Sequence, residues 1–151
     1  NLQIYFLYHR FSGQIEINSK KIGVIQDRTI YEDREIFAKN LYSLNHIDDR
    51  DWETYKSLFN NMVKFIDKPD LIIYLRASTD TLISRIKNRG REYENNISSS
   101  YLHSLNISYD KWINNCKDFP ILIIEYDNFN IFKDKDQLDK ILKNIEITLS
   151  K

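Results

Sequence analysis

Leu2, Tyr5 and Phe6, with His9 one turn further on, recur at helical spacing and predict a helix over roughly residues 1–17. Lys20-Lys21 then lead into Ile22-Gly23-Val24-Ile25, a short apolar run of the kind that forms a buried strand. Asp27-Arg28-Thr29 follows, and a helix through Phe37 and Leu41 comes next. A further helix is predicted from about Asp49 to Phe65, with Trp52, Tyr55, Phe59 and Met62-Val63 on one face, until Lys68-Pro69-Asp70 breaks it. Leu71-Ile72-Ile73-Tyr74-Leu75 reads as a second buried strand. Ser78-Thr79-Asp80 offers N-caps for a helix carrying Leu82, Ile83 and Ile86 and ending near Gly90. The polar stretch Arg89 to Asn96 reads as a loop. Another helix is expected over about Ser98 to Asn115, using Tyr101, Leu102, Leu105, Tyr109 and Trp112. Ile121-Leu122-Ile123-Ile124 is a third apolar strand, and Asp134 with Gln137 forms a capping box for a last helix bearing Leu138, Ile141, Leu142 and Ile145.

Continuous apolar strands alternating with amphipathic helices predict an α/β domain, a parallel sheet covered on both faces. Such sheets bind ligands beyond the carboxyl ends of their strands, and all three runs lead into charged segments there. No repeat, linker or low-complexity stretch divides the chain, so residues 1–151 are expected to form a single domain.

Charge changes the picture by exclusion. The 22 basic and 22 acidic groups of the 151 residues cancel, which argues against a nucleic-acid partner held by a net basic footprint. A local basic cluster for an anionic small ligand remains open. The single cysteine, Cys116, excludes an internal disulfide or a CxxC site and fits a cytoplasmic setting. No apolar run approaches the roughly 20 residues that span a bilayer, so no membrane partner is expected. Asn1-Leu2-Gln3 has no signal-peptide character and no initiator Met; the chain reads as the middle of a longer protein.

Chemistry enters at three places. Asp27 and Arg28, just past an apolar strand, can serve phosphoryl transfer, the carboxylate helping to hold Mg²⁺ and the arginine neutralising charge on the moving group; equally, they can be a helix cap and a surface side chain. Arg85, Lys87, Arg89 and Arg91 cluster at a helix end and the loop after it. They can complement the helix dipole or close on polyphosphate. Gln3 and Arg10, seven apart, share one helix face, and a Gln amide can pair bidentately with a base edge. His9, His46 and His103 are scattered and read as structural or surface residues. The glycines, Gly13, Gly23 and Gly90, form no GxxxxGK[ST] phosphate loop.

Together these segments resemble the deoxynucleoside kinase family. The resemblance rests on Gln3-Ile4-Tyr5-Phe6-Leu7-Tyr8-His9-Arg10, on Asp27-Arg28-Thr29-Ile30-Tyr31-Glu32-Asp33-Arg34-Glu35-Ile36-Phe37-Ala38, and on Arg85 to Glu94 followed by Tyr101-Leu102 and Tyr109-Asp110-Lys111-Trp112. It implies a P-loop kinase-like three-layer fold whose first strand and phosphate loop are not in this chain, and ATP-dependent phosphorylation of a deoxynucleoside 5′-hydroxyl in nucleotide salvage. By the same resemblance Gln3 pairs with the base, Phe37 stacks on it, and Arg10 with Asp33 shapes the pocket for its exocyclic group. Arg28 stabilises the reacting end, Asp27 organises Mg²⁺ directly or through a water, and Glu94 accepts the sugar 3′-hydroxyl. Arg85, Arg89 and Arg91 close on the ATP phosphates as a lid at about 85–97. Glu125 to Phe132 stands where the adenine-contacting loop lies, with no residue assigned.

Asp27 and Thr29 depart from the Glu and Ser of many members, which moves the carboxylate by one methylene, and no residue here matches the family's catalytic base. The segments look most like bacterial members that prefer purine deoxynucleosides, deoxyadenosine first and deoxyguanosine or deoxycytidine next. A homodimer through the helices around Trp52 and Phe59 is a further expectation. The alternatives are a thymidylate-type nucleotide kinase and a non-catalytic nucleoside-binding module.

Overall fold

The computed structural model describes residues 2–20, 22–94 and 96–150. Asn1 at the head of the first predicted helix, Lys21, Asn95 within the expected lid, and Lys151 lie outside the described residues. The chain divides into two compact units, Asn1–Lys68 and Pro69–Lys151.

The first unit is helical. Helix α1 (Leu2–Ser19) turns Gln3 and Leu7 inward, both buried, with Arg10 next on the same face. A continuous helical run from Ile30 to Ser43 follows: α2 (Ile30–Glu32), a π-helical turn (Asp33–Ala38) and α3 (Lys39–Ser43). Asp48 caps α4 (Asp49–Met62) by accepting from the Asp51 N–H at 2.8 Å, and a 3₁₀ turn (Val63–Phe65) ends it. Trp52, Tyr55 and Phe59, at i, i+3 and i+7 on α4, meet Leu7, Ile30, Ala38, Ile47 and Ile66 in the core. Trp52 and Phe59 therefore face their own unit.

The expected strand at Ile22–Ile25 is not one. Among the described residues it has no ladder partner, and Ile22 and Ile25 are 73% and 101% exposed. A run that is apolar on both faces is stable as a strand only when something pairs with it and covers it.

The second unit holds a two-stranded parallel sheet, β1 (Ile72–Arg76) beside β2 (Ile121–Glu125), in register from Ile72↔Ile121 to Arg76↔Glu125. The parallel direction demands a crossover, which α5 (Thr79–Arg89), a 3₁₀ turn (Glu92–Glu94) and α6 (Ser99–Asn115) provide. Tyr74 stacks on Tyr109 of α6 at 5.7 Å, and Asn106 of α6 donates to the Ala77 carbonyl at 3.0 Å. On the opposite face, Ile73 and Leu75 of β1 are 43% and 51% exposed, while Ile124, the register partner of Leu75 on β2, is buried. Ser78 and Ser98 cap α5 and α6. Gly90 ends α5 at φ 66°, where a Cβ would be strained. The last helix, α7 (Lys135–Leu149), starts without the predicted capping box: Asp134 accepts instead from the Asn130 N–H at 2.7 Å, which draws its side chain away from the helix.

Candidate functional site

The segment between α1 and α2 is shaped by a strained turn. Arg28 has φ 60°, a region that costs a side-chain-bearing residue about 1–3 kcal/mol and is enriched at active sites. The turn reverses the chain into α2, where the Glu32 carboxylate accepts from the Thr29 N–H at 2.5 Å. It also lays the Arg28 guanidinium over the Phe37 ring, 4.1 Å from its centroid. The two residues expected at the reacting end and at the base are thus in contact.

Asp33 is 4% exposed and pairs with Arg10, Nε to Oδ2 3.3 Å. Arg10 also reaches the Asp27 carbonyl at 3.4 Å, while the Asp27 side chain is exposed. Gln3, 7% exposed, is buried on the same face of α1 as Arg10. The π-helical turn gives this stretch its form: the Lys39 N–H bonds back to the Arg34 carbonyl, and such widened turns occur frequently at functional sites. Gln3, Arg10, Asp27, Arg28, Asp33 and Phe37 all lie in the first unit, linked by Arg10–Asp33, Arg10–Asp27 and Arg28–Phe37.

Burial pushes the Asp33 carboxyl above its ordinary 3.8, against the opposing pull of Arg10 and Arg28. A group raised on folding contributes stability that is complete below its unfolded value and lost as pH rises through its folded value. Ionised Asp33 therefore works against the fold. Asp33→Asn is expected to be more stable than the wild type near neutral pH, the gap in urea midpoint widening from about pH 4 upward and then levelling. A gap that narrows over that range would mean that Arg10 outweighs burial.

The second unit holds the other candidates. Glu94, 8% exposed, receives Arg89 in a fork, Nη2 at 2.7 and 2.8 Å and Nε at 3.1 Å. Arg91 stands 3.7 Å from the same carboxylate and donates to the Tyr93 hydroxyl at 3.1 Å. Arg85 points elsewhere. It donates to the Tyr126 carbonyl at 2.6 Å, and its guanidinium lies 4.0 Å from the centroid of the Tyr126 ring. Arg85, Tyr126, Phe129, Asn130, Ile131 and Phe132 line an open cavity of about 270 Å³. Asp127 ties this loop to the start of α5: hydrogen bonds from the Thr81 hydroxyl and the Ser78 N–H, the latter at 2.8 Å, hold its carboxyl below the usual range.

Of the cavity residues, Arg85 was assigned to the ATP phosphates from the sequence, and Tyr126 to Phe132 fall in the segment placed at the adenine-contacting loop with no residue assigned, although Tyr126 and Phe129 follow the carboxyl end of a parallel strand, where such folds bind ligands. Tyr55 was read as core alone, yet its hydroxyl lies in the field of Asp33 and Arg34.

A family model described as deoxynucleoside kinase matches residues 1–150. The chain is 36% identical over 147 residues to a deoxyadenosine/deoxycytidine kinase of Bacillus subtilis, covering 96% of this chain and 68% of that protein. It is 41% identical over 143 residues to a deoxyadenosine kinase of Dictyostelium discoideum, covering 94% and 57%. Among solved structures, a deoxyadenosine kinase of M. mycoides with bound dATP matches with a TM-score of 0.77 at 37% identity, over 95% of this chain and 72% of that one. The same enzyme with the products dCMP and a flexible dCDP matches with a TM-score of 0.80. This chain thus spans between about half and three quarters of the length of these relatives.

Proposed function

Because this chain belongs to the deoxynucleoside kinase family, we propose that the whole protein transfers the γ-phosphoryl group of ATP to the 5′-hydroxyl of a deoxynucleoside, deoxyadenosine foremost. The observation that carries the reading is the Arg10–Asp33 pair, 3.3 Å apart, on the same helix face as a buried Gln3. A buried amide and an ion pair offer a base edge both donors and acceptors, and a polar site of that kind discriminates among bases. The ionised Asp33 carboxylate suits an exocyclic amine, which adenine has, and Phe37 supplies a stacking face.

Arg28 is the transition-state residue in this reading. The transferred group passes through a loose transition state, so the protein mainly positions the reactants and stabilises spread charge. Asp27 is exposed, and its carboxylate is one oxygen ligand, which suits Mg²⁺, an ion held through one or two carboxylates together with substrate phosphates. Bound there, the ion would neutralise charge on the phosphates. In the second unit, Glu94 takes the sugar 3′-hydroxyl, Arg85, Arg89 and Arg91 take the phosphates of ATP, and the cavity at Tyr126–Phe132 receives its base. Each of these arginines now rests on a carboxylate or carbonyl that a phosphate would have to displace. The protein works in the cytoplasm as a homodimer. Among the described residues no helix is long and apolar enough to cross a membrane.

The test is labelled-phosphate transfer from ATP by the full-length protein to the four deoxynucleosides and to thymidylate. Deoxyadenosine is expected to give the highest kcat/KM. Transfer to thymidylate alone would overturn the reading in favour of a nucleotide kinase, and no transfer at all in favour of a binding protein.

A further inference from the structure

Tyr55 presents an unexplained polar group. It is 2% exposed and packs in the core with Trp52 stacked against it at 5.9 Å, yet its hydroxyl is buried without a hydrogen-bond partner among the described residues. Buried tyrosine hydroxyls ordinarily find a partner, and phenylalanine would fill this volume without leaving a polar group unsatisfied. The charges acting on the hydroxyl are those of Asp33 and Arg34, and burial together with Asp33 raises its pKa far above the ordinary 10.0. The charges acting on Asp33 are those of Arg10, 3.3 Å from its Oδ2, and Arg28, and Oδ2 is likewise buried without a hydrogen-bond partner among the described residues. Helix α4 meets the Asp33 turn at Phe59, one helical turn from Tyr55, which takes Tyr31 edge-on at 5.9 Å and the Arg34 guanidinium at 4.9 Å.

We propose that Tyr55 is a positioning residue of the base pocket, its hydroxyl supporting the Asp33 carboxylate from α4 through one bridging water, and so keeping Asp33 a hydrogen-bond acceptor for the exocyclic amine of the base. The proposal rests on the deoxynucleoside reading above. Its physical content is a counterweight. Burial favours the neutral acid, which turns one of the two acceptor oxygens into a donor and weakens the other as a partner for the amine, and a hydrogen bond to the carboxylate favours the charged form. Arg10, partly exposed, gives part of that support from outside; a phenol fixed in the core gives it without solvent screening.

The test compares wild type and Tyr55→Phe in the full-length protein. With ¹³C-labelled aspartate, the Asp33 resonance of the ligand-free variant is expected to titrate at higher pH than in the wild type. The KM for deoxyadenosine should rise about 3- to 10-fold, more at low pH, with kcat within about twofold and deoxyguanosine less affected. An unchanged Asp33 titration, or KM values that move equally for both substrates, would overturn the proposal. If the wild type phosphorylates no deoxynucleoside, the functional reading fails while the Asp33 titration still decides the coupling. Should Tyr55→Phe not fold, Asp33→Asn reads the pair from the other side. The ¹³Cζ resonance of Tyr55 is expected to move in that variant and to stay in place in Glu94→Gln; no movement in Asp33→Asn would overturn the proposal.

Discussion

Replacing Arg28 with alanine in the full-length enzyme is expected to lower kcat by about 10³–10⁵, the range that transition-state arginines contribute to phosphoryl transfer, with KM for the nucleoside changed only a few-fold. Both the charge and the backbone single out this position. An arginine whose role is to neutralise charge on the moving group acts mainly in the transition state, so its loss appears in kcat rather than in binding. The backbone adds the second part, because Arg28 holds φ 60°, a cost the fold sustains at this position rather than placing glycine there. A control separates strain from charge. Arg28→Gly relaxes the turn and is expected to match or exceed the wild type in stability while being as inactive as Arg28→Ala. Lysine keeps the charge but not the planar fork, and should fall between. Near-normal turnover in Arg28→Ala, measured by labelled-phosphate transfer at saturating substrates, would remove Arg28 from the reaction and leave its contact with Phe37 as a packing feature.

What could be read from the chain alone follows the range of the forces involved. Helices α1, α4, α5 and α6 were legible because their apolar spacing and their caps are local. Ser78 needs only the Thr81 N–H three residues on, and Gly90 only its own backbone freedom. Ile22–Ile25 misled because a strand is a relation between two segments, and an apolar run does not reveal its partner. Asp134 misled because a second donor, the Asn130 N–H, competes for its carboxylate at 2.7 Å. Among the candidate site residues, Gln3, Arg10, Arg28, Asp33 and Phe37 were named through motif resemblance, but their contacts were not foreseeable. The π turn that carries Asp33 and Phe37 has no sequence signature. The closure of Arg89 onto Glu94, five residues apart, depends on the left-handed turn at Gly90. Tyr55 was invisible for the opposite reason: at helical spacing with Trp52 and Phe59 it reads as core, and only packing shows where its hydroxyl ends.

Phe59→Ala is expected to destabilise the first unit by about 3–5 kcal/mol, the usual cost of emptying a buried phenylalanine site, out of the 5–15 kcal/mol that ordinarily separates a domain from its unfolded state. The ring is 4% exposed. It meets Tyr31 edge-on at 5.9 Å, and the Arg34 guanidinium lies 4.9 Å from its centroid. Tyr31 and Arg34 flank Asp33 in sequence, so Phe59 is the floor on which the Asp33 turn rests as well as a piece of core. Two consequences can be separated by experiment. In a Trp112→Phe background, Trp52 is the one tryptophan left in this chain, and its fluorescence follows the first unit through urea unfolding. The midpoint should fall with the slope unchanged. At low temperature, where the variant remains folded, KM for the nucleoside should rise several-fold while kcat stays near the wild-type value, because Phe59 supports the turn carrying Asp33, proposed above to face the base, whereas Arg28, proposed to act on the moving phosphoryl group, stands over Phe37. Phe59→Leu, which refills most of the volume but offers Arg34 no ring face, should recover most of the midpoint and less of the KM. Equal recovery of both would reduce Phe59 to packing alone, and a midpoint shift worth under about 1 kcal/mol in Phe59→Ala would mean that the site collapses around the cavity.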